Sequence, residues 1–132
     1  MKFFAKIFLV LSAAFLLASC AYKHQAVENV SGVVPAGLTS QQVEEAIVKA
    51  AVEYNWQIVS KESGAVVLQQ LKNKYSATVK VVYDTANWAV QLVSATGLNY
   101  DKSNNTVHSH YNVWARNLGS EIDKNLKTIA AL

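Results

Sequence analysis

Ala77-Thr78-Val79-Lys80-Val81-Val82-Tyr83-Asp84 is the stretch that decides the fold. Ala77, Val79, Val81 and Tyr83 alternate with Thr78, Lys80, Val82 and Asp84, the two-residue period of a half-buried strand. Thr85-Ala86-Asn87 interrupts the pattern, and alternation resumes with Trp88, Val90 and Leu92 against Ala89, Gln91 and Val93. So short a link forces the two strands to pair antiparallel. The same grammar runs toward the N-terminus. Residues 65–71 are aliphatic and β-branched and end at Lys72-Asn73-Lys74. Residues 56–60 form a shorter strand that turns at Glu62-Ser63-Gly64. Together these segments predict a four-strand antiparallel meander.

The period changes on either side of the meander. Thr39 is a good N-cap, Gln42 stands three residues on as its capping-box partner, and Leu38 with Val43 suits a hydrophobic staple. Val43, Ala46, Ile47, Ala50 and Tyr54 recur on one helical face, while Gln41, Glu44, Glu45 and Lys49 mostly fall elsewhere. The spacing predicts an amphipathic helix over 40–54. Its polar face is not basic, so the apolar stripe reads as a core face and not as a membrane-binding one. After a polar connection over 94–105, Val107, Tyr111, Trp114, Leu118, Ile122, Leu126 and Ile129 recur at steps of three or four. Asn104, Asn105 and Thr106 are alternative caps for this second helix. Gly119 in its interior costs ~1 kcal/mol against alanine, unless it lets another element approach closely. A meander has one apolar face, and two striped helices need somewhere to bury theirs. The expected domain is α+β and covers 38–132: an N-terminal helix, the meander and a long C-terminal helix, with both helices on one sheet face.

Upstream, Lys2 and Lys6 precede an apolar run over 7–17 broken only by Ser12. Ala18 and Ser19 then lead to Cys20, the one cysteine of the chain. Positive residues, an apolar run and small residues in that order read as an export signal over 1–19. The run falls short of the ~20 apolar residues a spanning helix needs. The competing reading, an uncleaved anchor, leaves the position of the cysteine unexplained. Leu17-Ala18-Ser19-Cys20 resembles a bacterial lipobox. The resemblance implies cleavage before Cys20, a diacylglyceryl thioether on its sulfur and an acyl chain such as palmitate on the new amino group. At ~0.8 kcal/mol per buried methylene, several chains make anchoring effectively permanent. A lipidated Cys20 cannot serve as a catalytic thiol, a metal ligand or half of a disulfide. Ala21, not aspartate, follows it. By resemblance to enteric-type sorting this implies the outer membrane, facing the periplasm, with the inner membrane as the alternative. Residues 20–37 lack periodicity and contain Asn29, Ser31, Gly32, Pro35 and Gly37, so they read as a lipidated flexible tether. Val30, Val33 and Val34 are apolar enough for part of it to lie against the domain.

The net charge is +3. Residues 1–19 hold two lysines and no acid, so their removal leaves +1. Arg116 is the single arginine, and the lysines are scattered, which argues against a nucleic-acid partner. No serine sits in a nucleophile-elbow pattern and no glycine-rich phosphate loop occurs. Glu44 and Glu45 are adjacent and diverge on a helix. The chain is therefore expected not to be an enzyme and to use no cofactor. His108 and His110 would share a face on a strand but point about 200° apart on a helix. Read on the first turn of the second helix, they take surface or capping roles. His24 lies far away in the tether, and no metal site is expected. His108 and Asn112, four residues apart, suit a polar contact.

Tyr83, Trp88, Tyr100, Tyr111 and Trp114 gather in the second half of the chain and should mostly be core. A groove between sheet and terminal helix, contacted by Tyr83, Trp88 and Tyr100 and rimmed by Asn99, His108 and Asn112, is the expected docking place for a ligand or an envelope protein. The run from Tyr83-Asp84 through Ser94, Leu98, Tyr100 and His108 to Tyr111-Asn112, Trp114 and Leu118 is similar to a family of small uncharacterised Gram-negative outer-membrane lipoproteins. That family places a Tyr-Asp strand end before an Asn-Leu-x-Tyr loop and a His-x-x-Tyr-Asn-x-Trp helix start. This chain departs from the pattern at Gly97, where asparagine is expected, and at Gly119. The resemblance covers most of the mature chain and implies the same fold and compartment, with no assigned activity. The leading expectation is a non-catalytic envelope lipoprotein, held to the membrane by its lipid, that binds a partner or serves an assembly. The first alternative is a small-molecule or lipid-binding module, and a small hydrolase comes third. A continuous cavity lined by Val and Trp would favour a ligand; a filled core with exposed apolar side chains would favour a protein partner.

Overall fold

Residues 24–132 are described by the structure, a computed structural model. The export signal, the lipobox and Cys20 lie outside the described residues. In chain order the elements are β1 (Gln25–Ala26), β2 (Val30–Val33), α1 (Ser40–Glu53), β3 (Gln57–Glu62), β4 (Ala65–Lys72), β5 (Tyr75–Tyr83), β6 (Asn87–Thr96), β7 (Thr106–Val107) and α2 (Ser109–Ala130). The architecture is α+β, with two helices and an antiparallel sheet ordered β2-β6-β5-β4-β3. β1 and β7 form a separate antiparallel ribbon.

Two parts of the sequence expectation need correction. The sheet has five strands, not four, and α1 is not the first element, because β1 and β2 precede it. Val30-Ser31-Gly32-Val33, within the stretch read as a tether, pairs with Val90, Ala89, Trp88 and Asn87 of β6. Its apolar side chains are too few to show a period, and Gly32 looks like a breaker. The glycine has another cause. A Cβ at position 32 would stand 2.7 Å from the Trp88 indole, so the side chain from β6 occupies the space that any larger residue would need.

Alternation along the meander sorts its side chains by face. Val66 and Leu68 of β4, Val79 and Val81 of β5, and Trp88 and Val90 of β6 are buried together. α1 adds Val43, Ala46, Ile47 and Ala50, and α2 adds Tyr111, Ala115, Leu118, Ile122 and Leu126. Each large aliphatic side chain buried this way contributes ~1.5–3 kcal/mol. Both helices therefore cover one sheet face, and they pack against each other. The buried Asn125 Nδ2 donates to the Ala46 carbonyl at 3.1 Å across the helix pair. On the opposite face, Val67, Thr78, Lys80, Val82 and Ala89 are half-buried, with no described element laid over them.

Local signals behave largely as read. Thr39 Oγ1 accepts from the Gln42 amide at 3.1 Å and Gln42 Oε1 accepts from the Thr39 amide at 2.9 Å, completing the capping box. The second helix starts later than expected. Thr106 and Val107 are taken by the ribbon with β1, so His108 becomes the N-cap in place of residues 104–106. Its Nδ1 accepts from the His110 amide at 3.1 Å.

Gly119 faces β2. A Cβ there would collide with Val30 Cγ1 and lie 3.2 Å from Trp88. In an ordinary helix interior Gly→Ala stabilises by ~1 kcal/mol. Gly119→Ala is expected to destabilise by ~1–3 kcal/mol through overpacking, read as a lower urea midpoint; a raised midpoint would show that β2 does not rest on this glycine.

Candidate functional site

The sheet has two ends, and they differ in chemistry. At one end lie the β4–β5 turn at Asn73 and Lys74, the residues after α1, the start of α2 and the β1–β7 ribbon. The described chain also begins here, since Gln25 pairs with Val107, just before His108. Asn112 on the first turns of α2 is fully buried and fastens this entry. Its Nδ2 donates to the Ala26 carbonyl at 2.9 Å and to Gln25 Oε1 at 3.2 Å, and its Oδ1 accepts from the Glu28 amide at 3.1 Å. Arg116 Nε adds an ion pair to Glu28 at 3.3 Å.

The expected groove does not form as one site. Tyr83 pairs with Trp88 beside the β5–β6 turn. Tyr75, at the other end of β5, stacks on His108 with ring centroids 6.4 Å apart. At ~3.4 Å per residue, Tyr83 lies about 27 Å along the strand from Tyr75. Trp88 is buried between β2 and α2 and lines no groove at the start of α2. Tyr83 belongs to the far end, where its hydroxyl donates to Glu44 Oε2 at 3.3 Å. Burial, then the Glu44 charge, raises its pKa.

Tyr100, His108 and Asn112 do gather at the entry end, with Asn99 in the adjoining loop at φ 52°. Tyr100 adjoins Tyr111, whose hydroxyl is pushed well up, mainly by burial and then by Tyr100. Asp101 organises the loop. Its carboxylate accepts from the Ser103 hydroxyl at 2.7 Å, the Asn104 side chain at 2.7 Å and both backbone amides. These bonds, that of the Ser103 hydroxyl foremost, hold it below the usual 3.8. His108 and His110 do not diverge as two positions of a helix would. Because His108 is the cap, the rings meet edge to face at 4.4 Å, and Tyr75 stands edge-on to His110 at 5.6 Å.

Sequence reasoning missed the most exposed part of this end. Leu71 and Val113 are 55% and 44% exposed, and Tyr54, Tyr75 and Trp114 are partly exposed around them. Two depressions of about 360 and 260 Å³ flank Trp114 and share Lys72. Lys74 Nζ lies 5.7 Å from the Tyr75 ring centroid. Trp114 falls on the helical period, so it read as core; only its nearness to the helix start set it apart. At the far end, an open depression of about 720 Å³ is lined by Glu44, Glu45, Asp84 and Lys61. A fourth of about 690 Å³ lies on the uncovered sheet face, beside Val33, Val82 and Ala89.

No protein-family model, curated protein or solved structure matches the chain. Among the described residues, no helix is long and apolar enough to cross a membrane.

Asn112→Ala removes three bonds from a buried site, and the stranded Ala26 carbonyl and Glu28 amide should destabilise the domain by about 2–3 kcal/mol. Hydrogen exchange would then accelerate at Glu28; unchanged exchange would refute the clamp. For Asp101 the folded pKa is depressed, so its support is present above 3.8 and is lost as pH falls through the lower folded value. Amide protection at Thr106 should decline over that acid range and be insensitive to pH there in Asp101→Asn.

Proposed function

We propose that this chain is a lipoprotein held by lipid on Cys20 in the outer membrane, facing the periplasm, where its domain serves as a non-catalytic docking module for an envelope protein. The address rests on the order of Lys2 and Lys6, the apolar run and the lipobox. The docking role rests on a filled core combined with uncovered apolar side chains. Val43, Ile47, Leu68, Val79, Leu118 and Ile122 are fully buried. Val67, Val82 and Ala89 meanwhile line a sheet face over which no described element lies, beside Val33 at 70% exposure. Lys80 of the central strand β5 stands on the same face, opposite Val67, and reaches Glu62 at 3.9 Å. Apolar side chains interleaved with a lysine and polar groups suit a protein partner, whose surface can bury the one and pair the other. The depressions are open and lie on the surface, which favours a partner over an enclosed small molecule.

The experiment is photo-crosslinking in intact cells from a probe at position 82, with a probe at exposed Lys49 on α1 as the contrast and Cys20→Ala as the address control. The expected result is a discrete adduct from position 82 alone, weakened in Cys20→Ala. Equal adducts from both positions, or none from 82, would overturn docking through the sheet face. Metabolic labelling with palmitate should mark the chain and be lost in Cys20→Ala.

A further inference from the structure

The tether is shorter than the sequence suggested, and this fixes which end of the domain meets the membrane. β1 and β2 belong to the fold, and Asn112 clamps residues 25–28 to α2. From Cys20 to His24 the chain can reach about 14 Å at most, at ~3.3–3.6 Å per residue. His24 is one residue before the Gln25–Val107 pair, and Val107 immediately precedes His108. The domain therefore leaves its anchor from the end that carries Tyr75, His108, His110 and Trp114.

That end has the chemistry of a membrane interface. Leu71 and Val113 are exposed aliphatics, and Trp114 and Tyr75 are amphipathic rings with one side open. Aromatic side chains of this kind settle at headgroup level, and lysines beside them extend toward lipid phosphates. Lys72 and Lys74 are exposed in the β4–β5 turn, and no acidic residue lines either depression beside Trp114. At the opposite end, Glu44, Glu45 and Asp84 outnumber Lys61 around the depression of about 720 Å³. Glu28 and Asp101 also lie at the entry end, but Glu28 is paired with Arg116 and Asp101 is bonded within its own loop, so Lys72 and Lys74 are the charges beside the aromatic rings. That corner suits the side turned toward anionic phospholipid, and the acidic depression the side turned away.

We infer that the Tyr75–Trp114 end lies on the phospholipid surface, with Trp114, Leu71 and Val113 at the boundary between headgroups and acyl chains and Lys72 and Lys74 against lipid phosphates. This inference rests on the lipid anchor proposed above. It makes the domain a bound and oriented body, with its uncovered sheet face standing at the side, open to a partner.

The test uses the full lipidated chain in vesicles of phosphatidylethanolamine and phosphatidylglycerol, with and without bromine on the acyl chains. Trp56 and Trp88 are buried, so bromine should quench the emission of Trp114. Trp114→Phe should abolish the lipid-dependent quenching, and Lys72→Gln with Lys74→Gln should weaken it at low salt. Intact mass on the same sample separates the two claims. A chain lacking lipid on Cys20 overturns the anchor and this inference together. A chain with lipid whose emission ignores bromine, or whose quenching survives in Trp114→Phe, overturns the membrane contact while leaving the anchor standing.

Discussion

The indole of Trp88 joins three elements, and the arrangement of the N-terminal stretch depends on it. It rises from β6, fills the space beside Gly32 of β2, and packs against Gly119 of α2. Its Nε1 is buried without a hydrogen-bond partner, a deficit of ~1–3 kcal/mol. Burying a tryptophan removes roughly 150–250 Å² from water, which at ~25 cal/mol per Å² contributes about 4–6 kcal/mol. The apolar gain exceeds the polar loss. Two glycines allow the approach: one lets an edge strand cross the ring, the other lets a helix do so. Without that joint β2 would keep its backbone pairing with β6 and the contact of Val30 with α2, and a strand of four residues at a sheet edge is weak on so little.

The parts of the fold that the sequence made legible share one property: their signals repeat. Alternation over Ala77–Tyr83 and Trp88–Leu92, the stripe of α1, the Thr39–Gln42 capping box and the stripe through Tyr111, Leu118, Ile122 and Leu126 each offer several consistent observations. β1 and β7 have two residues each and β2 has four, too few for a period to appear. They exist because of contacts distant in sequence, Asn112 with Gln25 and Trp88 with Gly32. The cap of α2 was misread for a related reason. Asn105 and Thr106 are good capping types, but pairing with β1 takes Thr106 into the ribbon and passes the role to His108.

The candidate site was legible residue by residue but not as a place. Tyr100, His108 and Asn112 do converge, because the loop over 97–105 returns the chain to the start of α2. There the His108 amide donates to the Leu98 carbonyl at 2.8 Å. Tyr83 and Trp88 were grouped with them on aromatic character, which carries no distance information; strand length sends that pair to the other end. Trp114 is packed against the core but only partly buried. Helical periodicity assigned it to the core, yet it sits beside Tyr54 and Asn55, where α1 has already ended, and borders two surface depressions. An apolar residue on a helix stripe is buried only as far along as its neighbouring element extends.

The sheet edges constrain how any partner approaches. Both outer strands are poorly suited to accept a further strand. β3 is interrupted by a register shift between Ile58 and Ser60 and carries Lys61 and Glu62, and β2 is short and followed closely by Pro35. Bulges, charges, prolines and short length are the features that block edge-to-edge pairing. Recognition by strand addition is thereby disfavoured, while the broad face through Val67, Val82 and Ala89 stays open. On the proposed anchoring, with the Tyr75–Trp114 end at the lipid, that face would stand sideways, parallel to the membrane normal. In that orientation the face would be reached by another protein of the same membrane as readily as by a soluble one, since neither would have to displace the proposed lipid contacts.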